Sequence, residues 1–114
     1  MESKIIDMIF TFTVKEGKQK LYEEVMAEQI AIAKTETGTL VYDIFRKPDG
    51  SYCQHERYAS EDACQEHNKN TALQLAEWFE LTEISQIIAL GPLSESFKEQ
   101  FGVENYLLFV SANK

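Results

Sequence analysis

Apolar residues along this chain fall into two rhythms, and the points where one yields to the other mark its elements. From Lys4 to Val14, Ile6, Met8, Phe10, Phe12 and Val14 share one side of an extended segment, while Asp7, Thr11 and Thr13 share the other with Ile5 and Ile9. Period two with aromatic and β-branched residues predicts a half-buried strand. From Lys18 to Thr35 the spacing turns helical. Leu21, Val25 and Ile32, with Tyr22, Met26, Gln29 and Ala33 one step round, predict an apolar stripe that leaves Glu23, Glu24 and Glu28 outside. Thr37-Gly38 is expected to end this helix, Gly38 supplying a left-handed cap.

Alternation returns over Thr39 to Arg46 and again over Ser51 to Ala59. The tight-turn signal Pro48-Asp49-Gly50 between them predicts a hairpin. Tyr52, Gln54, Glu56 and Tyr58 share one face of its second strand, and Cys53, His55 and Arg57 the other. Ser60-Glu61-Asp62 is a helix start, a hydroxyl cap followed by two acids. That helix is expected to break near Asn68-Lys69-Asn70 and restart at Thr71, with Leu73, Ala76 and Phe79 as its stripe and Leu75 and Trp78 adjacent. A strand over Glu83 to Leu90 stops at Gly91-Pro92, Ser94 caps a short helix ended by Gly102, and Tyr106 to Val110 reads as a last apolar strand before the polar tail Ser111 to Lys114.

The order β-α-β-β-α-β with a helix and strand appended predicts an α+β chain of ferredoxin-like, split βαβ type. Residues 1–114 then form a single domain with its core in 4–90 and a C-terminal helix-strand extension in 91–114. Helices covering one sheet face leave Ile5, Ile9, Val41 and Phe45 on the other. Such a patch is costly for a lone protomer, so a homodimer through the sheet face is expected.

Composition narrows the function classes. Hydrophobic residues make up 44% and charged residues 26%, a globular balance. A formal net charge of −8 repels phosphate backbones and argues against a nucleic-acid partner. No apolar run approaches the roughly 18 residues of a membrane span. Met1-Glu2-Ser3-Lys4, followed by Ile5-Ile6-Asp7, has no signal-peptide pattern, so a cytoplasmic location is expected. Cys53 and Cys64 fit neither a disulfide scaffold nor a zinc motif, and His55 and His67 lack carboxylates at metal spacing, so no metal is expected.

Thr37-Gly38-Thr39-Leu40-Val41-Tyr42-Asp43-Ile44-Phe45-Arg46 resembles the helix-to-strand passage of the antibiotic-biosynthesis monooxygenase domain, with its glycine, tyrosine and arginine. The stretch from Glu56 through Tyr58, Ser60 and Ala63 to His67 resembles the passage that follows the hairpin in that family. The resemblance covers about the first three-quarters of the chain. It implies a dimeric α/β barrel, two ferredoxin-like protomers sharing a barrel through their sheets. It also implies activities that include cofactor-independent quinol or anthrone oxygenation, haem degradation and an isomerase. Tyr58 stands where many members carry Trp, the first strand lacks the Asn of the haem-degrading branch, and the segment from Gly91 onward exceeds the smallest members.

His67 lies two turns past the Ser60 cap, where it can point back over the strand bearing Glu56 and Tyr58. A neutral imidazole is suited to removing a phenolic or enolic proton, so His67 is the expected base and Glu56 its orienter. A structural histidine bonded to Glu56 or to backbone, and a Glu56 paired with a cation, are the alternatives. Tyr58, Tyr42, Phe10, Trp78 and Phe79 are candidate contacts to a flat substrate, or simply core. The expected function is a monooxygenase needing no cofactor and acting with dioxygen on a small aromatic quinol. An isomerase or tautomerase of a small carbonyl compound and a non-enzymatic ligand-binding or stress protein stand beside it.

Overall fold

The alternation of the N-terminal segment becomes β1 (Ile6–Val14), whose inward side chains Ile6, Met8 and Phe12 are buried. This computed structural model describes residues 3–112. Met1 and Glu2, and Asn113 and Lys114 of the polar tail, lie outside the described residues. After β1 come α1 (Gln19–Ala33), β2 (Thr39–Arg46), β3 (Tyr52–Tyr58), α2 (Glu61–Asn70), α3 (Ala72–Leu81), β4 (Thr82–Leu90), α4 (Glu95–Phe101) and β5 (Glu104–Tyr106).

The strands form one sheet in the order β2-β3-β1-β4-β5, antiparallel except for the final parallel pair. The first four strands have the split βαβ arrangement that the element order predicts. Register places Glu56 of β3 between Met8 of β1 and Tyr42 of β2, on the face that the helices cover. Strand β3 alternates buried and half-buried along its whole length, as expected.

Two apolar clusters fill the space between sheet and helices. In the first, Phe12 stacks on Tyr52 at 5.4 Å between ring centroids and meets Trp78 edge-on at 5.0 Å, with Tyr22, Val25, Met26 and Leu81 around them. The second joins Ile6, Met8, Tyr58, Cys64 and Ala89 to Phe97 of α4, so the C-terminal extension belongs to the core. Each fully buried large side chain contributes about 1.5–3 kcal/mol. Phe10 packs against both clusters and marks the gap between them.

The opposite sheet face is uncovered by this chain. Phe45 is 56% exposed there, Ile5 is also exposed, and Ile9 and Val41 are half-buried. His55 and Arg57 lie on this face too, each paired with Asp7, at 2.6 and 2.8 Å.

Four expectations need correction. Helix α1 buries Tyr22, Val25, Met26, Gln29 and Ala33, but Leu21 is exposed. Leu73 is 78% exposed and Phe79 44%, because α3 turns Trp78 and Leu81 into the core instead. Gly38 is not left-handed, since Lys34 ends α1 in right-handed geometry and the positive-φ glycines are Gly17, Gly50, Gly91 and Gly102. The last strand pairs only over Glu104–Tyr106, where β4 ends at Leu90. Residues 107–110 beyond it are not strand, and Phe109 is 98% exposed.

Candidate active site

The Ser60 hydroxyl accepts from the Ala63 amide at 3.2 Å and starts α2. Two turns on, that helix buries His67 against the sheet, its ring 5.1 Å from Tyr42 and 5.6 Å from Tyr58 between centroids. The imidazole therefore lies over β3, as the sequence predicts, and over β2 as well. Its partner is different. His67 Nδ1 lies 2.6 Å from Oε1 of Glu36, a residue of the α1–β2 connection that carries no periodic signal. A carboxylate only accepts, so Nδ1–H donates and a neutral His67 presents the lone pair of Nε2.

Gly38 explains how Glu36 reaches so far. A Cβ on Gly38 would sit 2.6 Å from the Ala63 Cβ, so only glycine lets this connection lie against α2. Glu36 then also receives Asn70 Nδ2 at 2.8 Å and Thr39 Oγ1 at 2.9 Å. Burial alone would raise its pKa, but the bonds from Asn70, His67 and Thr39 outweigh that and hold it below the usual carboxylate range.

Glu56, expected to orient His67, instead receives the Tyr58 hydroxyl on Oε1 and Gln54 Nε2 on Oε2, the latter at 2.6 Å. It is buried, and desolvation raises its pKa above the ordinary value even though Tyr58, His67 and Gln54 all favour the charged form. A carboxyl so placed holds a proton more strongly than an ordinary glutamate and is the stronger base.

A cavity of about 420 Å³ opens beside it. Met8, Phe10, Leu75, Phe79 and Ile87 form much of its apolar wall, and Phe97, Gln100, Phe101 and Val103 close it from the C-terminal extension. Glu56, Asn68 and Gln100 are its polar groups, and Cys64 adds a thiol. The Cys64 thiol is pushed up to about 12 by burial and by the charge of Glu56, so it stays protonated and is no nucleophile.

A smaller hollow of about 30 Å³ shares Phe10, Glu56, Asn68 and Leu75 with the large cavity, and is also lined by Gln29, Tyr42, Gln54, His67 and Trp78. Glu56 thus stands at both spaces and His67 only at the smaller. Among the predicted substrate contacts, Phe10 and Phe79 line the large cavity, while Tyr42 and Trp78 line the hollow. The Tyr42 hydroxyl donates to Gln29 at 3.0 Å. Tyr58 lines neither space and is wholly buried, its hydroxyl donating to Glu56. The sequence reading missed Glu36, Asn68 and the wall from α4; the Ser94 cap showed that a helix lies there, but not where it packs.

Comparison with known proteins agrees with this architecture. MupZ from Pseudomonas fluorescens is similar in structure, with a TM-score of 0.84 at 18% identity over 97% of this chain and 95% of that one. Rv0793 from Mycobacterium tuberculosis gives 0.68 at 24% identity over 81% and 98%. SnoaB, a cofactor-independent oxygenase from Streptomyces nogalater, gives 0.66 at 17% identity over 80% and 95%. No curated protein matches the sequence. Residues 5–77 match the family profile described as antibiotic biosynthesis monooxygenase, and the chain belongs to that family.

Proposed function

We propose that this protein is a cofactor-independent monooxygenase that oxidises a small aromatic quinol with dioxygen, Glu56 serving as the base. The observation that carries the reading is a buried carboxyl of raised pKa in the wall of an otherwise mostly apolar cavity of about 420 Å³. That volume lies in the range of small-molecule sites. The aromatic walls from Phe10, Phe79, Phe97 and Phe101 suit a flat ring, and Asn68 and Gln100 offer amides to its hydroxyls.

Glu56 removes a phenolic proton and leaves an electron-rich ring. Dioxygen joins a ring carbon of that anion as a peroxide, the O–O bond breaks, and the ring carbon gives up its hydrogen. One quinol and one dioxygen become one hydroxyquinone and one water. The Tyr58 and Gln54 hydrogen bonds hold the carboxyl in place through both proton transfers. His67, paired with Glu36, lies behind Glu56 as a second proton acceptor. SnoaB, similar in fold, is described as a cofactor-independent oxygenase, which supports the reaction class.

The uncovered sheet face supports a homodimer closed through that face, as the family resemblance implies. Oxygen uptake with a panel of quinols tests the activity. Glu56→Gln is expected to lower kcat about 100-fold or more, the typical contribution of a positioned base. Uptake by the variant equal to that of the native protein would remove the proposed base.

A further inference from the structure

Two of the residues that line the hollow beside His67 each carry a buried polar atom with no hydrogen-bond partner among the described residues. Gln54 and Trp78 are 2% and 3% exposed, and Gln54 Oε1 and Trp78 Nε1 are both unpaired. With Glu56 ionised, as a base is before it acts, the carboxylate takes the Gln54 Nε2 donor and Oε1 faces the other way. Burying an amide oxygen or an indole N–H unsatisfied costs about 1–3 kcal/mol each. Across the same hollow stands His67, whose Nδ1 is committed to Glu36 and whose Nε2 has no hydrogen bond among the described residues.

We infer that this hollow is a solvent site holding one ordered water that links Trp78, Gln54 and His67 and abuts Glu56. A volume of about 30 Å³ has room for such a molecule, since one water needs roughly 10–15 Å³. The donors and acceptors balance. The water accepts from Trp78 Nε1–H and donates to Gln54 Oε1 and to the lone pair of His67 Nε2. Three hydrogen bonds are typical of a buried water. Its remaining lone pair is open to a protonated Glu56, which lines the same hollow.

The water is therefore a relay. Glu56, having taken a proton from the large cavity, passes it to the water as the water passes another to Nε2. The resulting imidazolium is held by Glu36. The groups facing His67 are Glu36 from the α1–β2 connection, Tyr42 from β2, and Glu56 and Tyr58 from β3. Burial pushes both tyrosine hydroxyls far above neutral pH, so neither tyrosine joins the proton transfer. The relay rests on the proposed function, but the presence of the water does not.

Trp78 is the sole tryptophan of the chain, so a ¹⁵N-labelled sample of the full protein gives one indole N–H signal. That proton is expected to show cross-relaxation to a long-lived water, without any substrate present. No cross-relaxation, or xenon entering the hollow in a pressurised crystal, overturns the inference. Trp78→Phe then tests the relay by removing the water's donor while leaving both hydrogen bonds to Glu56 in place, with kcat on a quinol expected to fall roughly tenfold at constant KM. An unchanged kcat with the water lost overturns the relay. If the native protein consumes no oxygen with any quinol, the proposed function falls while the cross-relaxation result stands.

Discussion

Glu56→Gln should make the protein more stable as well as less active, and the gain should grow with pH. The native carboxyl has a pKa raised by burial, so between its unfolded and folded values the folded chain holds more protons than the unfolded one. Stability from this group is therefore undiminished below the unfolded pKa and declines as pH rises through the folded one. Each unit of elevation is worth about 1.4 kcal/mol at high pH. Glutamine carries no charge and escapes that penalty. Its amide fits the site if Gln54 flips to offer Oε1 and Tyr58 keeps donating; a bond lost instead costs about 1 kcal/mol, at every pH alike. The discriminating quantity is thus the Tm difference, variant minus native, followed by circular dichroism from pH ~4.5 to ~8. It should climb by roughly 4 °C for each kcal/mol relieved. Glu36 is common to both proteins and cancels. A difference that stays flat or shrinks as pH rises would show that Glu56 is not held against its charge, and the argument for its basicity would fail.

Glu36→Gln tests the other carboxyl with the opposite sign. Its pKa is lowered, so its stabilisation is present above the unfolded value and lost as pH falls through the folded one; the variant should be less stable at neutral pH by about 1–3 kcal/mol and converge on the native protein in acid. Gly91→Ala should cost about 2 kcal/mol or more in chemical denaturation: φ is +116° and the new Cβ would lie 2.4 Å from the Ile5 carbonyl oxygen. Gly50→Ala, at φ +87° with open space around it, should cost only about 1 kcal/mol and serves as the control. Phe45→Asp should leave the protomer folded and shift light scattering from dimer to monomer; a persistent dimer would place the interface elsewhere.

Much of this fold was legible because strands with one covered face must alternate. Residues 6–14 and 52–58 did so, and their buried sides came out as read. The Ser60 cap and the break at Thr71 were equally plain, since capping hydroxyls and a polar Asn-Lys-Asn interruption are local chemistry. What failed depended on contacts distant in sequence. Gly38 carries no mark that says close approach to α2 instead of left-handed turn. Glu36 lies in an aperiodic connection 31 residues before the histidine it holds. His67 and Glu56, singled out as base and orienter, are both buried, but their partners were not deducible: helical spacing says which way a side chain points, not which of two carboxylates it meets. The strand expected over Tyr106 to Val110 was read from hydrophobicity alone, and hydrophobicity does not supply a neighbouring ladder.

The match to the family ends at residue 77, whereas Ile87, Phe97, Gln100, Phe101 and Val103 of the cavity wall all come later in the chain. The acid and one side of its container are thus written in separate stretches of sequence, the other side being shared. Substitutions along α4 can reshape what fits without disturbing the proton chemistry, so selection or a directed library has a place to alter molecular taste while leaving reactivity alone.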